Sequence, residues 1–153
     1  MVKKGFKLSK RSLNNLVGVD PRLVACVHRA IEITPIDFGV IEGVRTLQKQ
    51  KELVASGASQ TMDSKHLRGE AVDVLAYIGT RGSWELELYP SIADAFKMAA
   101  TELNVSLRWG AAWHRNDIRD FSGSMSDLMM EYIDLRRSQG RRPFIDAVHF
   151  ELS

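Results

Sequence analysis

Two short stretches of this chain combine histidine and aspartate in a way that suits a hydrolytic metal site. The first, residues 64–73, reads Ser-Lys-His-Leu-Arg-Gly-Glu-Ala-Val-Asp, with His66 on a loop and Asp73 inside an apolar, strand-like run. Gly69 permits a tight bend between them, so the two side chains can converge on one point. A carboxylate in an apolar strand is costly to bury unless it meets a cation or several donors. A metal ion is one such partner, and a buried salt bridge or a helix cap is the alternative.

The second stretch, residues 146–152, places His149 between apolar residues near the end of the chain. Two histidines and one carboxylate are the usual ligands of hydrolytic zinc, with the fourth position left to water. Zinc lowers the pKa of that water to about 7 and polarises a substrate carbonyl. A separate carboxylate must then take the proton and pass it to the leaving amine. The sequence thus predicts His66, Asp73 and His149 as metal ligands and Asp146 as the base.

The elements that must position these residues follow from apolar periodicity and from helix-start signals. Asp20-Pro21 starts a helix, and a later one begins at Pro90 with Ser91 as its cap and ends at Asn104. Residues 84–88 fit either a strand or a helix start. Helices and short strands without a βαβ rhythm favour an α+β fold, in which helices flank a small antiparallel sheet. The predicted helices span 21–33, 47–55, 90–104 and 126–138, with a shorter one near 13–17; the predicted strands span 38–44, 71–77, 105–109 and 147–152.

Composition restricts the class of protein. The chain has 153 residues, which suits one domain, and a net charge of +2, which is too mild to indicate nucleic acid. Its one cysteine, Cys26, excludes an intramolecular disulfide and lies in an apolar stretch typical of a core position. No apolar run approaches the roughly 20 residues that span a bilayer. The basic N-terminus lacks the apolar region of a signal peptide, so we expect a soluble chain made in the cytoplasm.

Residues 64–73 resemble the pattern Ser-x-His-x-x-Gly-x-Ala-x-Asp of the D-alanyl-D-alanine carboxypeptidase and dipeptidase family of zinc peptidases, and all five fixed positions are present. The fold of that family is shared with the signalling domain of hedgehog proteins. Its second motif, acidic-x-x-His, matches Asp146 and His149 at the C-terminal end. The resemblance therefore implies a hedgehog-like fold, one bound zinc ion, and the same ligand and base residues that the chemistry suggests.

Within the family the chain is most similar to short phage endolysins that cleave L-alanyl-D-glutamate bonds. The resemblance covers most of residues 5–113 and 144–153. Residues 114–143 are longer than the family leads us to expect, which predicts a helical insertion into a single domain spanning 1–153. The shared features are Gly43-Val44-Arg45-Thr46, Ser64-Lys65-His66, Arg108-Trp109-Gly110-Ala111 with Trp113, and the His-x-Glu-Leu ending.

The resemblance also implies further site residues. Arg45 matches an arginine that reaches the active site and stabilises the charged intermediate, although an arginine after a strand can also be a surface residue. Ser64 is expected either to contact substrate or to shape its loop. Trp109 and Trp113 are candidates for a substrate-contacting wall, with core packing as the alternative for at least one of them.

The implied function is hydrolysis of the L-alanyl-D-glutamate bond in peptidoglycan stem peptides by a phage endolysin. A D-alanyl-D-alanine carboxypeptidase or dipeptidase is the rival within the enzyme class, and a non-catalytic zinc-binding module is the rival outside it. The expected partner is peptidoglycan, with no nucleic acid, no membrane insertion and a monomeric state. Without a signal peptide, release to the cell wall is expected to need a holin.

Overall fold

The computed structural model describes residues 5–153, so the first four residues of the basic N-terminus lie outside the described part. Within that part the strands form one five-stranded antiparallel sheet. The strands are β1 (Asp37–Glu42), β2 (Ala71–Ile78), β3 (Arg81–Ser83), β4 (Leu107–Trp109) and β5 (His149–Leu152). Their order is β1-β2-β5-β4, and β3 forms a hairpin with the far end of β2. The prediction of an α+β fold with a small antiparallel sheet is confirmed.

Helices cover the sheet and complete the core. They are α1 (Lys10–Asn15), α2 (Pro21–Ile33), α3 (Leu47–Ala55), α4 (Tyr89–Leu103) and α5 (Met125–Ser138). Phe96 of α4 lies on the sheet: its ring stacks on that of Phe150 with centroids 4.0 Å apart and tilts against Phe38 at 5.5 Å. No helix among residues 5–153 has the length and apolar character needed to cross a membrane.

Most predicted elements are present with small differences at their ends. The bounds predicted for α2 and α3 are confirmed, and α5 begins one residue earlier than predicted, after the capping side chain of Ser124. Both short strands begin later than predicted, at Leu107 and His149, because the pairing of β4 with β5 is limited to three residue pairs.

The predicted start of α4 is wrong. Residues 84–88 form no strand; a 3-10 turn over Leu86–Leu88 runs directly into α4, which begins at Tyr89. Leu88 already has helical backbone angles, so no extended residue is present at which a side chain could cap the helix, and Ser91 lies inside the first turn. As predicted, α4 ends at Asn104. This residue adopts the left-handed conformation (φ 55°).

The buried hydroxyl of Tyr89 ties this helix start to the sheet. It accepts a hydrogen bond from the Ala76 amide at 3.1 Å and donates one to the Ser83 carbonyl at 2.7 Å. Both partners are main-chain groups that have to be satisfied when they are buried. The start of α4 is therefore positioned by the β2–β3 hairpin rather than by a local cap.

We predict that Tyr89→Phe lowers the free energy of unfolding by about 1–3 kcal/mol, because it leaves a buried donor and a buried acceptor unpaired. Urea denaturation followed by circular dichroism measures the change. Tyr77→Phe is the matched control, since the Tyr77 hydroxyl makes no side-chain hydrogen bond among the described residues. Equal stability of the Tyr89 variant and the wild type would show that these bonds contribute nothing net.

Candidate active site

Asp73 lies in the middle of a row of polar side chains that crosses the sheet. It pairs with Glu42 of β1 on one side and with His149 of β5 on the other. A bulge between Val40 and Glu42 shifts the register of β1 there. Residues opposite each other in an antiparallel pair project from the same face, so the strand register alone brings Asp73 and His149 together.

His66 reaches the same point from a 3-10 turn, Lys65–Arg68. The Ser64 hydroxyl caps this turn by accepting from the His66 amide at 3.2 Å. Gly69 ends it in the left-handed conformation (φ 69°), where a side chain would also collide with the Gly18 carbonyl. The Arg45 amide donates to the His66 carbonyl at 2.9 Å, which holds the turn beside the end of β1. The tight bend predicted at Gly69 is confirmed.

The two histidine rings converge on one carboxylate oxygen. His66 Nε2 lies 3.1 Å from Asp73 Oδ1, and His149 Nδ1 lies 3.1 Å from the same oxygen. One nitrogen of each ring and a carboxylate oxygen all lie within 4.8 Å of one another, so this group could hold a metal ion. The structure thus brings together the three residues predicted as ligands from two distant parts of the sequence.

The hydrogen bonds of the two outer ring nitrogens, those that face away from Asp73, show which nitrogens are left to bind a cation. His66 Nδ1 donates to the Gly43 carbonyl at 2.8 Å, and His149 Nε2 faces the Glu151 carboxylate at 2.8 Å. Each neutral ring has one proton, and an acceptor beyond the ring fixes it on the outer nitrogen. The inner nitrogens then direct lone pairs at the Asp73 oxygen, an arrangement that is repulsive unless a proton or a metal ion lies between them. The donor set therefore fits a metal ion.

The electrostatics of this cluster favour positive charge. Burial lowers the pKa of His149, but its hydrogen bonds to Asp73 and Glu151 outweigh burial and raise that pKa to about 10. Burial raises the pKa of Asp73, yet the hydrogen bonds from His149 and His66 hold it below its ordinary value. A metal ion has to displace the proton from His149, so metal affinity should fall as the solution becomes more acidic.

Asp146 lies at the edge of the cluster, three residues before His149, in a segment clasped by the backbone of Gly110. The Asp146 amide donates to the Gly110 carbonyl at 2.8 Å, and the Gly110 amide donates to the His149 carbonyl at 2.9 Å. A Cβ at Gly110 would collide with the Asp146 carbonyl. Burial raises the pKa of Asp146, and the negative charge of Asp73 raises it further. The Asp146 carboxylate is therefore a stronger base than that of an exposed aspartate.

Arg45 is nearly buried, with 8% of its side chain exposed, so the alternative of a surface arginine does not hold. Its guanidinium contacts Glu42, lies 3.6 Å from Asp73 Oδ2, and donates to Gln50 Oε1 at 2.7 Å. The Ser64 hydroxyl is 3.5 Å away. A fixed positive charge therefore lies on the far side of Asp73 from His149.

These residues line one cleft of about 650 Å³, within the size range of sites that hold small ligands. Ser64 and Trp113 are at its wall together with Arg45, Asp146 and the His-Asp-His cluster. The indole of Trp113 lies beside the His149 ring, with centroids 5.4 Å apart.

The structure does not place Trp109 with them, which corrects its assignment to the substrate wall. Trp109 is fully buried, its ring is stacked parallel to Phe150, and its indole nitrogen donates to the Ala147 carbonyl at 2.8 Å. It is an inward-facing residue of β4, the alternative that the sequence left open.

Sequence reasoning missed the residues that support the ligands. Glu151 orients His149 and in turn lies 3.8 Å from the Lys65 ammonium. Its position two residues after His149 in a strand predicts that both side chains share a face, which is a signal that could have identified it. The Gly43 carbonyl carries no such signal, because any residue type supplies a carbonyl.

Comparison with known proteins agrees with this arrangement, which has the parts of a hydrolytic site: a metal-binding cluster, an adjacent carboxyl and an open cleft. The family model described as phage L-alanyl-D-glutamate peptidase matches residues 4–153. The chain therefore belongs to the phage L-alanyl-D-glutamate peptidase family and is a peptidase.

Individual relatives give the same result. The chain is 37% identical over 113 residues to the L-alanyl-D-glutamate peptidase of Escherichia phage T5, covering 71% of this chain and 82% of that protein. It is 32% identical over 106 residues to the corresponding peptidase of Listeria phage A118, covering 67% of this chain but only 37% of that longer protein. The crystal structure of the Serratia marcescens L-Ala D-Glu endopeptidase ChiX matches with a TM-score of 0.72 and 32% identity, over 96% of this chain and 90% of that chain.

Proposed function

We propose that this protein is a zinc endopeptidase that hydrolyses the L-alanyl-D-glutamate bond of peptidoglycan stem peptides. The observation that carries the proposal is the convergence of His66 Nε2 and His149 Nδ1 on one oxygen of Asp73. The names of the phage and Serratia relatives support the choice of bond. We further propose that residues 1–153 act as a single peptidase domain and a monomer, released to the wall through a holin. That residues 114–143 are an insertion stays a prediction.

Zinc is the metal that best suits the ligand set of His66, Asp73 and His149. Imidazole nitrogens and a carboxylate oxygen are typical zinc ligands, and a site with three protein ligands keeps a position open. When bound by these three residues, zinc would supply Lewis acidity: it would polarise a carbonyl and lower the pKa of a water molecule to about 7. Glu151 and the Gly43 carbonyl hold the two rings in the orientation that binding needs.

Asp146 is the residue proposed to move the proton. Its carboxylate takes a proton from the attacking water and delivers it to the amine of the leaving D-glutamate. Burial raises the pKa of Asp146, which makes it a stronger base than an exposed aspartate. The hydrogen bonds of Gly110 to the Asp146 amide and the His149 carbonyl hold the backbone of both residues in place, so the proposed base and ligand keep a fixed relative position.

Arg45 is proposed to stabilise negative charge beside the reacting carbonyl. The D-glutamate of a stem peptide is linked onward through its side chain, so its α-carboxylate stays free next to the scissile bond. A guanidinium is a suitable partner for such a carboxylate and for an oxyanion because its donors form a fork. Hydrogen bonds to Glu42 and Gln50 hold the Arg45 guanidinium in a defined orientation.

The alternatives have less support. A D-alanyl-D-alanine carboxypeptidase or dipeptidase could use the same metal and base, but the relatives are named for the L-alanyl-D-glutamate bond. A non-catalytic metal-binding module has no use for Asp146, a partly buried carboxyl with a raised pKa beside the cluster.

We predict that one zinc ion binds per chain and that chelation abolishes lysis of purified walls, while added zinc restores it. Glu151→Gln should bind zinc about 10–100-fold more weakly, because His149 loses its charged outer partner. Elemental analysis gives the number of zinc ions per chain, and titration calorimetry gives the zinc affinity. Glu87→Gln, at an exposed position, is the control. Full activity in protein shown by elemental analysis to contain no metal would rule out the mechanism.

We predict that Asp146→Asn keeps zinc and fold but loses about 10²–10⁴-fold in turnover, because an amide cannot accept the proton of the water. A single-turnover assay on a synthetic stem peptide gives the rate, and elemental analysis gives the zinc content. Asp134→Asn, an exposed position on α5, should keep wild-type turnover. A near wild-type rate for the Asp146 variant would mean that another residue is the base.

We predict that digestion of cross-linked walls exposes new N-terminal D-glutamate and releases little free D-alanine. The reason is that an enzyme for an internal bond has to admit the stem peptide on both sides of the scissile carbonyl. Labelling of the new amino termini followed by mass spectrometry identifies the bond. Accumulation of free D-alanine with L-alanyl-D-glutamate bonds intact would favour the carboxypeptidase instead.

A further inference from the structure

One wall of the cleft carries positive charge that the proposed mechanism does not use. Arg136, from the last turn of α5, and Arg141 and Arg142, from the segment after it, line the same cleft as the metal ligands. Residues 139–146 connect the end of α5 to Asp146, and we call this segment the strap. The strap therefore brings the two exposed arginines into the cleft within five residues of the proposed base.

Of the other cations that line the cleft, Arg108 donates to the Trp113 carbonyl, and three more are paired with carboxylates of the protein. Arg45 contacts Glu42 and Asp73, Lys65 lies near Glu151, and Arg68 pairs with Asp63 and Glu70. Lys65 and Arg68 are therefore poor sites for a further anion, because their partner carboxylates repel it. Arg45 is already assigned to the charge beside the scissile carbonyl.

The arginines of the strap lack such partners. Among residues 5–153, neither Arg141 nor Arg142 has a side-chain hydrogen bond or an ion pair. Arg136 donates to the neutral Gln139 at 2.9 Å, and its guanidinium lies over the Tyr132 ring, 5.2 Å from the centroid. This wall therefore presents positive charge to whatever enters the cleft.

The backbone of the strap is held in place at both ends. At the end of α5, the Arg141 amide donates to the Arg136 carbonyl at 2.8 Å and the Gly140 amide to the Arg137 carbonyl at 2.9 Å. With Gly140 in the left-handed conformation (φ 68°), these bonds form a Schellman motif, which fixes the direction in which the chain leaves the helix.

Further along, the Tyr132 hydroxyl donates to the Phe144 carbonyl at 3.1 Å and accepts from the Phe144 amide at 3.3 Å. Pro143 restricts the backbone just before this contact. The positions of Arg141 and Arg142 relative to Asp146 are therefore set by the fold, and only their side chains are free to adjust.

A second groove that includes Asp146 is mainly apolar, unlike the basic cleft. A smaller groove of about 190 Å³ is lined by Asp146 and by apolar residues, including Trp84, Leu86 and Ile145. Trp84 is 66% exposed there. Asp146 thus lines both a basic cleft and an apolar groove, and the two surfaces next to it differ in polarity.

The substrate assumed in the proposed function has the same asymmetry. On the alanine side, L-alanine is the first residue of the stem peptide and is joined by an amide to the sugar. This side therefore carries no free carboxylate. On the D-glutamate side the stem peptide carries the α-carboxylate of D-glutamate, the carboxylate at the free chain end and, where the third residue is diaminopimelate, one more. Charge complementarity places the D-glutamate side along the strap.

We propose that Arg141 and Arg142 form a carboxylate subsite that recognises the additional carboxylate of a diaminopimelate third residue. This inference rests on the proposed function, since it concerns the stem peptide bound to the same cleft. The subsite selects walls with diaminopimelate over walls with lysine at that position, because only the former offers an anion to the two guanidinium groups.

The test uses two synthetic tetrapeptides, L-Ala-γ-D-Glu-X-D-Ala, in which X is either diaminopimelate or lysine. The zinc-loaded wild type should cleave the diaminopimelate peptide with a kcat/KM about 2–5-fold higher, as expected for a partly exposed charge pair. The double variant Arg141→Ala/Arg142→Ala should lose this preference through a rise in KM for the diaminopimelate peptide. KM for the lysine peptide should rise less, because that peptide offers the strap one carboxylate fewer. Arg137→Ala is the matched control, an exposed arginine of the same helix end that does not line the cleft.

A second measurement does not depend on turnover. The product γ-D-Glu-diaminopimelate-D-Ala should shift the arginine side-chain NMR signals of Arg141 and Arg142, whereas the lysine product and glycerol phosphate should not. The subsite would be overturned if the double variant lost kcat/KM equally on both tetrapeptides or kept the wild-type preference. It would also be overturned if glycerol phosphate shifted the arginine signals as much as the diaminopimelate product does. If the wild type cleaved neither peptide at L-Ala–D-Glu, the proposed function would fail, and the product titration would still decide whether the strap binds this carboxylate.

Discussion

The site depends on one electrostatic constraint: an inner nitrogen of each of two imidazole rings faces a single carboxylate oxygen, and only a proton or a metal ion makes that arrangement favourable. Gly43 and Glu151 impose it, because each takes the ring proton of one histidine on the outer side. The rest of the local structure keeps the three residues in this geometry. The β2–β5 register sets Asp73 against His149, and the capped 3-10 turn delivers His66. A small sheet is sufficient because the cluster needs only two adjacent strands and one loop.

The two aspartates of the site show how environment assigns chemical roles to identical side chains. Burial acts on both carboxyls in the same direction. For Asp73 the hydrogen bonds from His149 and His66 outweigh burial, and the pKa falls. For Asp146 burial and the negative charge of Asp73 act together, and the pKa rises. Asp73 therefore stays an anion, whereas Asp146 holds a proton more readily, and such a separation of pKa values suits the ligand and base roles proposed for them.

The parts of this structure that local chemistry determines could be predicted from the sequence. The α2 helix has a capping Asp20, a first-turn proline and a regular apolar stripe, and its predicted bounds were confirmed. Two of the proposed metal ligands, Asp73 and His149, are unusual side chains in apolar strands, and His66 lies in the turn before one. By contrast, Tyr89 starts α4 through a contact with the distant β2–β3 hairpin, and Trp109 faces inward because of how β4 meets β5. Such choices depend on tertiary packing, which no local pattern contains.

Gly110 has a consequence for transferring this chemistry to another scaffold. Its carbonyl accepts from the Asp146 amide and its amide donates to the His149 carbonyl, and a methyl group in place of its hydrogen would collide with the Asp146 carbonyl. A graft that copied only the proposed ligands, the proposed base and Arg45 would therefore reproduce those side chains and still lack the glycine that holds residues 146–149 against the end of β4. The minimal transplantable unit includes a residue with no side chain at all, recognisable only from backbone geometry.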